Sequence, residues 1–257
     1  MLILLKYKLL LFILLIPNFL FSQNNYNFTQ FGNEAGDYYS APFHWDKNDF
    51  LTLGIIAAGT LTAMQFDDSI KNEFAKINSD KNNWLMEAGR YWGEVAPSIA
   101  LSGILLIHGI STNDETTKKI GFEIGQALIY SVSVTSGLKI IIGRARPYTE
   151  NNSTTFSPFS FKNDNLSLPS GHTTVAFSLS TVLASNTSND GLKILAFIPA
   201  ILTATSRIYQ NYHWTSDVLL GAAIGYFTGK YVTDLHKRNE LIPTITNTPL
   251  ISFSLSF

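Results

Sequence analysis

The sequence predicts an all-α protein, a helical bundle of about six apolar helices. Two observations carry that expectation. Of the 257 residues, 46% are hydrophobic and only 14% are charged, against a charged share of about 25% in ordinary soluble domains. Apolar stretches of helical length recur at 50–66, 96–110, 120–142, 172–187, 191–206 and 217–234. Neither an internal repeat nor a low-complexity linker interrupts them, so a single helical domain is expected over 50–238. The net charge of −1 gives no field that would gather nucleic acid. The absence of cysteine excludes thiolate chemistry, disulfides and cysteine-bound zinc.

Taken in order, residues 1–22 read as a secretory signal. Lys6 and Lys8 precede or join an apolar run from Leu9 to Phe21, and Ser22 stands before the polar Gln23-Asn24-Asn25. An uncleaved anchor helix is the rival reading, although the run is short of the roughly 20 residues a span needs. Residues 23–49 are rich in Asn, Tyr and Phe without a helical period, and an extended arm is expected there. A polar, amphipathic stretch from Asp67 to Glu94 separates the first two apolar segments. The tail 239–257 closes on strict alternation, Ile251-Ser252-Phe253-Ser254-Leu255-Ser256-Phe257, which predicts a lone β-strand.

Whether the apolar segments cross a bilayer is left open by the sequence. Most are shorter than a full span, and 120–142 carries Glu123, Gln126 and Lys139. If 50–66, 96–110 and 120–142 all cross after an exported start, Arg146 emerges in the cytoplasm. The basic His236-Lys237-Arg238 argue instead for a C-terminus inside and the charged clusters outside. A non-crossing early segment, or a peripheral protein, removes the conflict. Both alternatives put the protein in the cell envelope, exported, with its site facing the periplasm.

The chemistry gathers around Pro169-Ser170-Gly171-His172, where a polar loop meets an apolar helix. Ser170 is a good N-cap, Pro169 stops any helix entering from the left, and Gly171 removes the side chain that would keep an anion from the backbone. The unpaired N–H groups of a helix start favour a phosphate. Lys139, Arg144 and Arg146-Pro147 come before this cluster; Ser206-Arg207, His213 and Asp217 come after it. Each group alone has a plain structural reading, such as cations answering a helix C-terminus or a carboxylate pairing with a histidine one turn away. Together they fit a phosphate-like oxyanion. Arginine offers it a bidentate fork and lysine a compact charge. Asp217, the sole carboxylate in these clusters, would fix the His213 tautomer and leave the other nitrogen to attack phosphorus, while His172 protonates the leaving oxygen. Arg144 reads first as structural and second as a phosphate contact.

Lys139, six residues, Arg146-Pro147; then Pro169-Ser170-Gly171-His172; then Ser206-Arg207, five residues, His213, three residues, Asp217: this pattern resembles the type 2 phosphatidic acid phosphatase superfamily, which also holds class A acid phosphatases and vanadium haloperoxidases. The match covers about Leu51 to Tyr231 with no departure at the charged positions. The resemblance implies that Lys139, Arg146 and Arg207 bind phosphoryl oxygens with donors from Ser170 and Gly171. It implies a phosphohistidine on His213, oriented by Asp217, and His172 as the acid and then the base for water. It implies no metal or cofactor for a phosphatase. Three activities share these residues: hydrolysis of a lipid phosphate or diphosphate, hydrolysis of a small soluble phosphate ester, and vanadate-dependent halide oxidation. Export and apolar helices favour a phosphorylated lipid and membrane association. The loop from Tyr148 to Leu168, with Phe156, Phe159 and Phe161, packs on the domain or touches lipid tails; Tyr148, Tyr212 and Trp214 adjoin the cations.

Overall fold

The computed structural model describes residues 24–77 and 83–241. The expected leader at 1–22 and the strand expected in the alternating tail 251–257 lie outside the described residues. Residues 26–235 form one compact unit; the other unit's described residues are 24–25 and 236–241, where Asn24 Nδ2 donates to the His236 carbonyl at 2.9 Å.

The architecture is all-α, as expected, and the only β feature among the described residues is an isolated bridge between Arg144 and Phe156. In chain order the helices are α1 Phe28–Ser40, α2 Lys47–Met64, α3 Asp67–Ile77, α4 Trp84–Trp92, α5 Val95–Thr112, α6 Glu115–Ile142, α7 Gly171–Ser185, α8 Asp190–Leu195, α9 Ile198–Tyr209 and α10 Thr215–Leu241. Caps explain several boundaries. Asp46 opens α2 with a capping box, Asp114 accepts from the N–H groups of Thr116 and Thr117 at the start of α6, and Gly143 ends α6 at φ 64°.

Two expectations need correction. The segment 23–49 is not an extended arm, because α1 and a 3₁₀ turn at Ala41–His44 occupy most of it. Asn27 caps α1 by accepting from the Gln30 N–H, and Phe31, Ala35 and Tyr38 face the core, with Tyr38 stacked on Tyr130 at 4.6 Å. Gly32 and Gly36 interrupt that period in the sequence and weaken its helical signal. The apolar run 191–206 is also not one helix. It breaks at Ala196-Phe197, and Pro199 sits in the first turn of α9, where its missing N–H costs nothing.

The core joins α6, α7 and α10 through Ile124, Leu128, Tyr130, Val175, Leu179, Val182 and Val232. Three stretches are long and apolar enough to cross a membrane, namely α5, α6 and 190–209, or four if α2 and α3, bent by 57°, count as one broken span. Ile104, Ile107 and Ile110 on α5 are all more than half exposed.

Helices α7 and α10 lie almost backbone to backbone. A Cβ added at Gly225 would sit 2.3 Å from the Thr174 carbonyl oxygen, and one at Gly221 would sit 2.5 Å from that of Ser170. This approach sets the start of α7 beside the start of α10, where the Ser170 N–H donates to the Asp217 carbonyl at 2.9 Å. Gly225→Ala is therefore expected to destabilise the protein by about 1–3 kcal/mol through overpacking. Gly32→Ala, with nothing within 4 Å, should instead be neutral or stabilising by up to about 1 kcal/mol. Thermal unfolding of the two purified variants checks the contrast.

Candidate active site

One cavity of about 870 Å³ collects most of the residues that the sequence singled out. Lys139 comes from the last turn of α6, Arg146 from the loop after it, Gly171 and His172 from the start of α7, Arg207 from the last turn of α9, and His213 from the turn before α10. Ser170 and Asp217 do not line the cavity; both are fully buried behind it. Tyr148 and Tyr212 do line it and meet edge to face at 5.7 Å.

Asp217 is the best-held side chain of the group. Its Oδ1 accepts from Arg144 Nη1 at 2.7 Å, and its Oδ2 accepts from Ser167 Oγ at 2.5 Å and the Trp214 N–H at 2.9 Å. The Trp214 bond is half of a capping box, with a first-turn carboxylate reaching back to the residue before the helix. His213 Nδ1 lies 3.5 Å from the same Oδ2, at the outer edge of hydrogen bonding, and has no other partner among the described residues. His213 Nε2 lies 3.4 Å from Arg146 Nη1.

The cations are positioned by neutral acceptors. Lys139 Nζ donates to the carbonyls of Leu166 and Ser167, and Arg146 Nε to that of Asn163 at 3.0 Å. Arg207 Nη2 donates to Gln210 Oε1, and its guanidinium stands 5.4 Å over the Tyr212 ring. An added Cβ at Gly171 would touch Lys139 Cε at 3.7 Å, so the helix start and the ammonium are neighbours. Ser170 occupies the N-cap position, but its side chain makes no cap bond. Its Oγ accepts from Thr173 Oγ1 at 3.0 Å and so does not compete for the first N–H groups of α7.

Arg144 is fully buried and does not line the cavity. Its guanidinium bridges Asp217 and Asp67, donating to Asp67 Oδ2 at 2.8 Å, and also donates to the Ser153 carbonyl and to Ser216 Oγ. Asp67 in turn accepts from the Ser216 N–H at 3.0 Å.

Sequence reasoning missed Asp67 and the corner formed by α4 and the start of α5, and expected Asp217 to be the sole carboxylate here. Glu87, Arg90 and Glu94 all line the cavity. Arg90 pairs with Glu87 at 2.8 Å and with Glu94, and the three- and four-residue spacings were readable as helical ion pairs. Nothing in those spacings says which way the trio faces.

Burial pushes His213 down to about 3; Lys139 and Arg146 press the same way and the Asp217 carboxylate opposes them. Burial likewise pushes His172 down, reinforced by Arg207 and opposed by Glu94. Burial would raise the Asp217 carboxyl, but the His213 contact and Arg144 outweigh it and hold it below the usual carboxylate range. The arrangement is a neutral imidazole backed by a carboxylate and set in a cationic cavity, which is what an attack on a bound oxyanion requires.

An all-helical bundle with exposed apolar faces and a cavity at the helix ends lined by Lys139, Arg146 and Arg207 defines the structural class. Residues 121–241 match the PAP2 superfamily. Among curated proteins the chain is similar to a lipid A 1-phosphatase of Porphyromonas gingivalis, with 39% identity over 74 residues, 27% of this chain and 17% of that protein. It is also similar to an undecaprenyl-diphosphatase of Sulfolobus acidocaldarius, with 29% identity over 155 residues, 60% of this chain and 68% of that one. Among solved structures, the transmembrane PAP2-type phosphatidylglycerolphosphate phosphatase of Bacillus subtilis shares the fold at a TM-score of 0.59 and 21% identity, covering 76% of this chain and 96% of that one. Aquifex aeolicus LpxE gives a TM-score of 0.47 at 25% identity over 63% of this chain and 93% of that one.

The depressed His213 has a consequence for stability. Its folded pKa lies below the unfolded value, so the unfolded chain binds the extra proton and stability falls as pH drops from the ordinary histidine value near 6.5 toward 3. The melting temperature of wild type is expected to fall more steeply between about pH 6.5 and 4 than that of His213→Gln, which has no ring to protonate. Parallel pH series of thermal melts check this.

Proposed function

We propose that the protein hydrolyses a phosphate monoester or diphosphate carried on a lipid, without a metal ion, through a phosphohistidine on His213. The observation that carries this reading is the His213 ring itself, with Nδ1 toward the buried Asp217 and Nε2 beside Arg146 in a cavity lined by Lys139, Arg146 and Arg207. With the phosphoryl oxygens on those cations and on the N–H groups of α7, Nε2 attacks phosphorus while the bond from phosphorus to the leaving oxygen breaks. His172 gives its proton to that oxygen. In the second half His172 takes a proton from water, whose oxygen displaces His213, and inorganic phosphate leaves. Three fixed cations supply the charge stabilisation for which other phosphatases use metal ions.

A lipid substrate is favoured by the exposed apolar face of α5, and by Phe159 and Phe161, 71% and 80% exposed, in the loop that supplies Asn163 to the cavity. The names of the similar proteins, a lipid A phosphatase and an undecaprenyl-diphosphatase, point the same way. A leader at 1–22 and the basic residues His236-Lys237-Arg238 favour export and a site on the periplasmic side of the membrane.

Phosphate release by the purified full chain in EDTA tests this, with a diacyl phosphatidate, an isoprenyl diphosphate and a soluble monoester compared. Release should come mainly from the lipids. His213→Ala should lie at background, and Asp217→Asn should retain weak turnover, reduced by about 10²- to 10⁴-fold. Release mainly from the soluble ester would support a small-ester phosphatase instead, and vanadate-dependent halide oxidation a haloperoxidase. Near wild-type release by His213→Ala would remove the phosphohistidine. Phe159→Ser with Phe161→Ser is expected to raise KM for vesicle-borne substrate several-fold and leave KM for the soluble ester unchanged.

A further inference from the structure

The Gly93-Glu94 corner between α4 and α5 makes a contact that nothing in the motifs predicts. Glu94 is the N-cap residue of α5, yet its side chain makes no cap bond. The N-cap side chains that accept from the first N–H groups of a helix are the short ones of Ser, Thr, Asp and Asn, and glutamate is not among them. Glu94 Oε1 instead lies 3.4 Å from His172 Nε2 and pairs with Arg90. The backbone is fitted to the same end. A Cβ on Gly93 would stand 2.6 Å from the His172 carbonyl oxygen, so only glycine lets this corner lie so close to His172. Arg90 is held from its other side by Glu87, whose Oε1 accepts from Gln210 Nε2, and Gln210 accepts from the phosphate-binding Arg207.

We propose that Glu94 is a positioning residue for the proton of His172, holding the imidazolium ready to protonate the leaving oxygen, and that Gly93 and Arg90 fix it there. This rests on the reading of His172 as the general acid. The electrostatics require such a partner. Of the charged groups facing His172, Arg207 on α9 and Arg90 on α4 disfavour its protonated form, and Glu94 is the carboxylate that favours it. Lys139 on α6, beside Gly171, adds a further positive charge at this end of α7. Glu94 neither gains nor loses a proton in the step. The proton passes from His172 to the leaving oxygen as the P–O bond breaks, and a proton from water restores it.

The proposal separates substrates by their leaving group. An alkoxide, as in a lipid phosphate, needs protonation as it departs, whereas a nitrophenolate leaves largely without it. Glu94→Gln keeps size and oxygen but removes the charge. It is expected to lower kcat/KM for an alkyl phosphate by about 10- to 100-fold and for p-nitrophenyl phosphate by several-fold less. The high-pH limb of the alkyl-ester profile, where His172 loses its proton, should move down by about one unit, since loss of the anion lowers the imidazolium pKa. Glu94→Asp, which keeps the charge, should hold the limb near its wild-type place. If Glu94→Gln does not fold, Glu94→Ser serves the same comparison, because serine is favoured at an N-cap. Equal losses on both esters with an unmoved limb would overturn the proposal. His172→Asn run alongside tells the two readings apart. Leaving-group discrimination in His172→Asn but not in Glu94→Gln sinks the role of Glu94 alone, while its absence from His172→Asn removes the general-acid reading and this proposal with it.

Discussion

The buried carboxylate of Asp217 is what the site depends on. A carboxylate taken out of water without partners costs several kcal/mol or more. Here its side chain receives Arg144, the Ser167 hydroxyl and the Trp214 N–H, while its backbone carbonyl receives the Ser170 N–H. Those partners come from the α6–α7 loop, the cap of α10 and the cap of α7. Arg144 also binds Asp67 at the start of α3. The charge can stay buried only when all these elements are in place, so the requirement to satisfy it assembles the site. The same network holds Oδ2 at 3.5 Å from His213 Nδ1.

The cations follow a different rule. Lys139 and Arg146 are tied to backbone carbonyls, Arg207 to a glutamine, and the cavity-lining carboxylates Glu87 and Glu94 pair with Arg90 instead. A carbonyl orients a cation without cancelling its charge. The three side chains are therefore held in place by groups that leave them open to a ligand, and under the proposed function this is the preorganisation that makes electrostatic stabilisation effective. An acid placed directly on any of them would satisfy the side chain and spend the field.

Much of this was legible in the sequence, and the unread part has a common cause. The clusters at Lys139 to Arg146, Ser170 to His172 and Arg207 to Asp217 sit at helix ends, where caps, glycine and proline leave local marks. The close contact of α7 with α10 was not read from Gly221 and Gly225, since a glycine in a helix shows only that something approaches, not what. Arg144 and Arg146 are separated by a single residue, yet one is buried against two aspartates and the other faces the cavity. Asp67, Glu87 and Glu94 reach the site across sequence separations of roughly 80 to 150 residues, and no local pattern records such a meeting. The α1 helix was missed for a local reason. Two glycines and a polar cap hide a face whose stability comes from stacking on Tyr130 rather than from propensity.

The placement of the cavity follows from helix direction. Lys139 and Arg207 lie in the last turns of α6 and α9, while Gly171 and Asp217 lie in the first turns of α7 and α10. Two C-terminal ends and two N-terminal ends thus meet at one end of the bundle. Cations are favourable at the former and anions at the latter, so the charges of the site agree with the dipoles of the helices that bear them. Such a site can exist only at a bundle end, since mid-helix backbone has no free N–H to offer. Helix α5 starts at the cavity, where Glu94 is its N-cap residue, and carries its exposed isoleucines away from it, so under the proposed function a lipid phosphate has an apolar helix face beside it that a small ester would not use.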